Sequence, residues 1–111
     1  METTLTQPRE SIARQPILNY GQVKDAAMIL RAVNHKLRQQ IIKLLDEKKR
    51  VMVTDIYVKL RLEQSIASQH LAILRKAKVV NTEREGKVIY YSVDYDRIDR
   101  MDSLIKKLVY E

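Results

Sequence analysis

Apolar residues recur every three to four positions from Asn19 to Ala77, the period drops to two over residues 79–93, and the helical period returns after Asp94. Of everything in the chain, this single change of period most restricts the fold. Alternate residues of a strand point to opposite faces, so the middle segment cannot continue a helix. In that segment VVNTE and VIYYSV flank REGK, where Gly86 can take the positive φ of a hairpin turn, so residues 79–93 read as a β-hairpin. The rest must be helical, and 111 residues suffice for one domain.

Four helices precede the hairpin. The first carries Val23, Ala26, Ala27 and Leu30 on one face, with Asn19 and Gln22 resembling a capping box. Asn34 is expected to cap the second, whose apolar face is Leu37, Ile41, Leu44 and Leu45, and Thr54 a short third with Ile56, Tyr57 and Leu60. The fourth, QSIASQHLAIL and beyond, is expected to turn Ile66, Ile73, Leu74 and Ala77 inward and Gln64, Ser65, Ser68 and Gln69 outward. Only the residues around Arg61 to Glu63 connect the third and fourth helices, and two short helices joined so tightly form a helix-turn-helix. After the hairpin, Asp94 opens a last helix with Ile98, Met101, Ile105, Leu108 and Val109 in a stripe. The fold class is therefore mainly α with a small β-hairpin: a winged helix-turn-helix with an extra C-terminal helix. Residues 1–18, with Pro8, Pro16 and no sustained period, read as a flexible arm ahead of one domain over 19–111.

Composition excludes several function classes. The absence of cysteine removes disulfides, thiolate metal sites and thiol chemistry. No apolar run is long enough to span a bilayer, and the first residues lack the apolar core of a secretory signal, so a cytoplasmic location with no membrane partner is expected. An enzyme has the least support: no cysteine nucleophile, no histidine pair, and only Gly21 and Gly86 to build a phosphate loop. The net charge of +7 favours a polyanion. Residues 36–50 hold six cations against two carboxylates, whereas residues 94–111 hold four against five. The last helix should therefore meet something other than a polyanion.

The fourth helix is where double-stranded DNA would be read. The second helix of a helix-turn-helix enters the major groove, where Gln pairs with adenine, Ser with base edges or phosphate, and His with phosphate. Gln64, Ser65, Ser68, Gln69 and His70 suit that work. At the hairpin tip Arg84 and Lys87 can lie along a backbone, opposed by Glu83 and Glu85. Lys36 and Arg38, at the start of the second helix, are candidates for a flanking phosphate, and Tyr90 and Tyr91 read as packing residues. His35 reads as an exposed side chain, and Met28, Met52 and Met101 as core or interface fillers.

The order of QSIASQHLAILRKAKVV and REGKVIYYSV resembles the recognition helix and wing of the ArsR/SmtB type of bacterial winged-helix repressor, over roughly residues 20 to 108, and LRAVNHKLRQQIIKLL resembles the entry into that family's second helix. The resemblance implies a homodimer that binds an inverted-repeat operator. It implies DNA contacts by Ser65, Ser68, Gln69 and His70 with Gln64 beside them. It also implies a dimer interface of the first and last helices, through Val23, Ala27, Leu30, Ile98, Met101, Ile105 and Leu108. Metal-sensing relatives carry cysteines where this chain has Met52 and Thr54, or ligands on the last helix where it has Asp94, Asp96, Lys107 and Tyr110, so no metal and no cofactor are expected. Lys78 stands where the family usually has glycine, and the exit from the fourth helix is expected to differ there. An effector, small molecule or protein, is left open. The alternative reading is a winged-helix protein-interaction module that does not bind DNA specifically.

Overall fold

A computed structural model describes residues 17–110, so most of the arm expected over 1–18 lies outside the described residues. The elements run α1 (Tyr20–Val33), α2 (Lys36–Lys48), β1 (Val51–Met52), α3 (Val53–Lys59), α4 (Gln64–Lys76), β2 (Val80–Glu85), β3 (Val88–Val93) and α5 (Tyr95–Tyr110). The hairpin forms with Glu85 paired to Val88. Its loop is Gly86-Lys87, and Gly86, at φ 63°, supplies the positive φ at the first loop position. The sheet has a third member: β1 pairs antiparallel with β3, Val51 opposite Tyr91 and Met52 opposite Tyr90, giving the order β1-β3-β2. Two residues are too few to display a period, which is why this strand is silent in the sequence.

Helix starts depend on what comes just before them, and two expected caps move accordingly. Asn19 caps α1 as expected, its side chain accepting from the Gln22 N–H at 3.1 Å. Asn34 instead closes α1, its N–H donating to the carbonyls of Leu30 and Arg31. The cap of α2 falls to His35, whose Nδ1 accepts from Leu37 N–H at 3.2 Å. Thr54 lies inside α3, because β1 runs directly into the helix through Met52.

Ile41, Leu45, Ile56, Leu71, Leu74 and Val79 are fully buried and join α2, α3, α4 and the residue just before β2 into one core. Tyr91 is buried in it, as the packing reading required, with its hydroxyl 3.4 Å from Arg75 Nη1. The inward face of α4 is Ala67, Leu71 and Leu74, followed by Ala77. Ile66 and Ile73, expected inside, are 36% and 42% exposed. Each sits one residue, about 100° of rotation, away from the buried Ala67 and Leu74.

The exit from α4 is a Schellman turn. Val79 N–H donates to Leu74 C=O and Lys78 N–H to Arg75 C=O, with Lys78 at φ 61°. The helix therefore ends with the geometry a glycine would give, contrary to the expectation of a different exit. The same device closes α3: Leu62 N–H reaches Tyr57 C=O, Arg61 N–H reaches Val58 C=O, and Arg61 has φ 55°. That turn fixes the short link to α4.

Candidate nucleic-acid interface

With Ala67, Leu71 and Leu74 holding α4 against the core, its opposite face is set by helical geometry. Gln64, Ser65, Ser68 and Gln69 are exposed there and His70 is half-buried at the edge. The Glu63 side chain makes no capping bond, and among the described residues no side chain bonds the backbone N–H groups of the first turn of α4, at the helix's positive end.

His70 is held by Arg38, and here the structure departs from the expected arrangement. Arg38 is not a surface cation: it is buried, 7% exposed, and so is not presented to a flanking phosphate in this structure. Its Nε donates to Ala32 C=O at 2.6 Å and its Nη2 to Arg31 C=O at 3.1 Å, both at the end of α1. Its Nη1 lies 3.2 Å from His70 Nδ1. A guanidinium has only donors, so Nδ1 must accept and the neutral ring carries its proton on Nε2. Burial first, then the nearby His35 and Arg38, lower the pKa of His70 and favour that neutral form. The rings of His35 and His70 are 4.9 Å apart, which brings the first turn of α2, with exposed Lys36, beside the outward face of α4.

The wing resolves the opposition of charges at its tip. Arg50, just before β1, bonds Glu83 at 3.1 Å and also pairs with Glu85, and its guanidinium lies 3.6 Å from the centre of the Tyr90 ring. Both carboxylates thus share a counter-charge, and exposed Arg84 and Lys87 remain as the cations of the tip. Arg50 was not among the expected site residues. Its partners are more than thirty residues away in sequence, so no local pattern marks it.

On another side, α1 and α5 expose apolar groups. No α5 residue is buried. Leu104 is 47% and Leu108 70% exposed, Val23 on α1 is 44% exposed, and Ala27, Leu30, Ile98, Met101 and Ile105 are half-buried. A cleft of about 150 Å³ between the two helices is lined by Ala26, Ile29, Leu30, Met101 and Leu104, with Arg97 and Arg100 at its rim. Among the described residues no group of three His, Cys, Asp or Glu side chains is placed to hold a metal ion, and no helix is long and apolar enough to cross a membrane.

A tight helix pair, a wing and an outward polar face together define a winged helix-turn-helix regulator. Comparison with known proteins gives the family. Residues 35–82 match the family described as bacterial regulatory protein, arsR family. The chain is 33% identical over 82% of its length to the transcriptional repressor PagR of Bacillus anthracis, covering 91% of that protein. It is 32% identical over 75% of its length to the transcriptional activator HlyU of Vibrio cholerae, covering 76% of it. The crystal structure of NolR from Sinorhizobium fredii superposes with a TM-score of 0.68 at 30% identity, over 86% of this chain and 97% of that one. The chain belongs to the ArsR family of winged helix-turn-helix transcription regulators, and it is not an enzyme.

Proposed function

We propose that this protein acts as a homodimer on an inverted-repeat operator in the cytoplasm and represses a small set of genes. The single observation that carries the reading is the outward face of α4, where Gln64, Ser65, Ser68 and Gln69 are exposed and His70 is oriented by Arg38. Short neutral donors and acceptors at this position read base edges and phosphates. Exposed Ile66, beside Ser65, adds an apolar surface suited to a thymine methyl group. Lys36, Arg84 and Lys87 lie along the flanking backbone, and Arg38 acts through His70.

The apolar faces of α1 and α5 support the dimer, because exposed Val23, Leu104 and Leu108 beside half-buried Ile98, Met101 and Ile105 form the kind of surface a protein partner covers. A two-fold dimer sets its reading helices about 34 Å apart, one turn of DNA. Repression is taken from PagR, a relative named a repressor, whereas HlyU is named an activator. The test is a fluorescence-anisotropy titration of labelled DNA from upstream of the gene, against a scrambled duplex, at several salt concentrations. Preference for the native sequence, with log affinity falling as log salt rises, is expected. Equal weak binding to every upstream fragment overturns the reading in favour of a protein-interaction module.

A further inference from the structure

Arg38 is buried, yet among the described residues no carboxylate lies within ion-pair distance of it. Buried charges are ordinarily paired. The carbonyls at the end of α1 offset part of its charge, since a helix C-terminus carries about half a negative charge. The remainder has no counter-charge among the described residues. Described residues engage three of the five guanidinium N–H groups, leaving two for another acceptor.

Arg38 also lines a cavity of about 270 Å³ between α1 and the C-terminal half of α4. Met28, Ile73 and Ala77 give that cavity an apolar wall, and Arg31 and Lys76 bring two further cations to it. No acidic residue lines it. This explains the placing of Ile73, an exposed apolar side chain flanked by cations on a helix whose reading groups lie toward the other end.

We propose that this cavity binds a small organic anion, a carboxylate with a short apolar body, and that its occupancy draws on the guanidinium that holds His70. The carboxylate meets Arg38, Arg31 and Lys76 and the apolar body lies against Met28 and Ile73. A volume just below the roughly 300 Å³ at which drug-sized pockets begin suits a compact ligand. The second half of the proposal rests on the reading of α4 as the DNA-contacting helix. An anion bound through the two remaining N–H groups draws the guanidinium toward the cavity and away from His70, so operator affinity falls on binding.

The test uses sodium octanoate and 1-octanol as probes on the ¹⁵N-labelled full chain. Octanoate is expected to cause saturable shifts at the amides of Arg31, Ile73, Lys76 and Ala77, with an affinity about tenfold or more above that of octanol. The double variant Arg31→Glu, Lys76→Glu, altered only at exposed positions, is expected to lose that preference. No saturable shift at these amides, equal binding of both probes, or an unchanged preference in the double variant overturns the site. In a second arm, octanoate is expected to weaken operator binding severalfold in the parent and not in the double variant. Bound octanoate with unaltered operator affinity overturns the link through Arg38. A chain that binds no operator at all counts against the proposed function, while the octanoate titration is judged on its own.

Discussion

Lys78→Gly should stabilise the protein, and the effect can be worked from the turn itself. Lys78 holds φ 61° at the residue after the α4 cap, and its two neighbouring bonds, Lys78 N–H to Arg75 C=O and Val79 N–H to Leu74 C=O, fix it there. A side chain in that left-handed region costs roughly 1–2 kcal/mol, which glycine avoids. Glycine also gives the unfolded chain more freedom, offsetting about 0.5–1 kcal/mol of the gain. The net expectation is about 0.5–1 kcal/mol in favour of the variant, or a rise in Tm of about 2–6 °C for a domain of this size. Loss of a cation near a helix C-terminus works the other way, so Lys78→Ala is the proper control. Alanine removes the same charge and keeps the strain. Thermal unfolding followed by circular dichroism, at one fixed protein concentration so that subunit association cancels, compares the three proteins. A glycine variant no more stable than the alanine variant would refute the argument, since the left-handed backbone would then carry no strain worth relieving.

Three further expectations concern the site and the interface. Arg38→Ala should cost about 2–3 kcal/mol in urea unfolding, because three hydrogen bonds are lost, and Arg38→Lys should not restore them, since an ammonium lacks the planar fork. Because burial and the neighbouring His35 and Arg38 depress the pKa of His70 below its ordinary 6.5, the unfolded chain takes up the proton first as pH falls. Stability from this group is present above that value and is lost as pH drops through the folded value, so urea midpoints should fall less for His70→Gln than for the parent between neutral and mildly acidic pH; equal falls contradict the assignment. Leu104→Asp should halve the mass seen by light scattering while the helical circular dichroism persists, because α5 has no buried residue; an unchanged mass would remove α5 from the dimer contact.

What the sequence disclosed depended on how far each feature reaches along the chain. Helices of thirteen to sixteen residues display several turns of their period, so α1, α2, α4 and α5 were legible, as was a hairpin with a glycine at its turn. Caps were less so. Whether Asn34 closes one helix or opens the next depends on which carbonyls its N–H meets, and both options share one composition signal. Ile66 and Ile73 show the limit of periodicity in a helix with apolar residues on more than a third of its circumference. Their rotation from Ala67 and Leu74 is a single residue, so only packing decides which pair is inside.

Charge was the least legible quantity, because a net value of +7 treats every cation alike. Arg38 serves the end of α1 and His70, Arg50 serves Glu83 and Glu85, and Arg97 donates to Ala77 C=O at 3.2 Å. Lys49 bonds Asp46 and the Tyr95 hydroxyl, while Arg100 and Lys106 pair with carboxylates one turn away on α5. The cations assigned to the proposed DNA side are Lys36, Arg84 and Lys87, beside neutral groups on α4. Attraction to phosphate is therefore weaker than the net charge implies, and the salt dependence of operator binding should count these few contacts per subunit and not the whole excess. On the proposed reading, site selection then falls to Gln64 and Gln69, whose amides pair with adenine edges, while Ser65 and Ser68 bond base edges or phosphate.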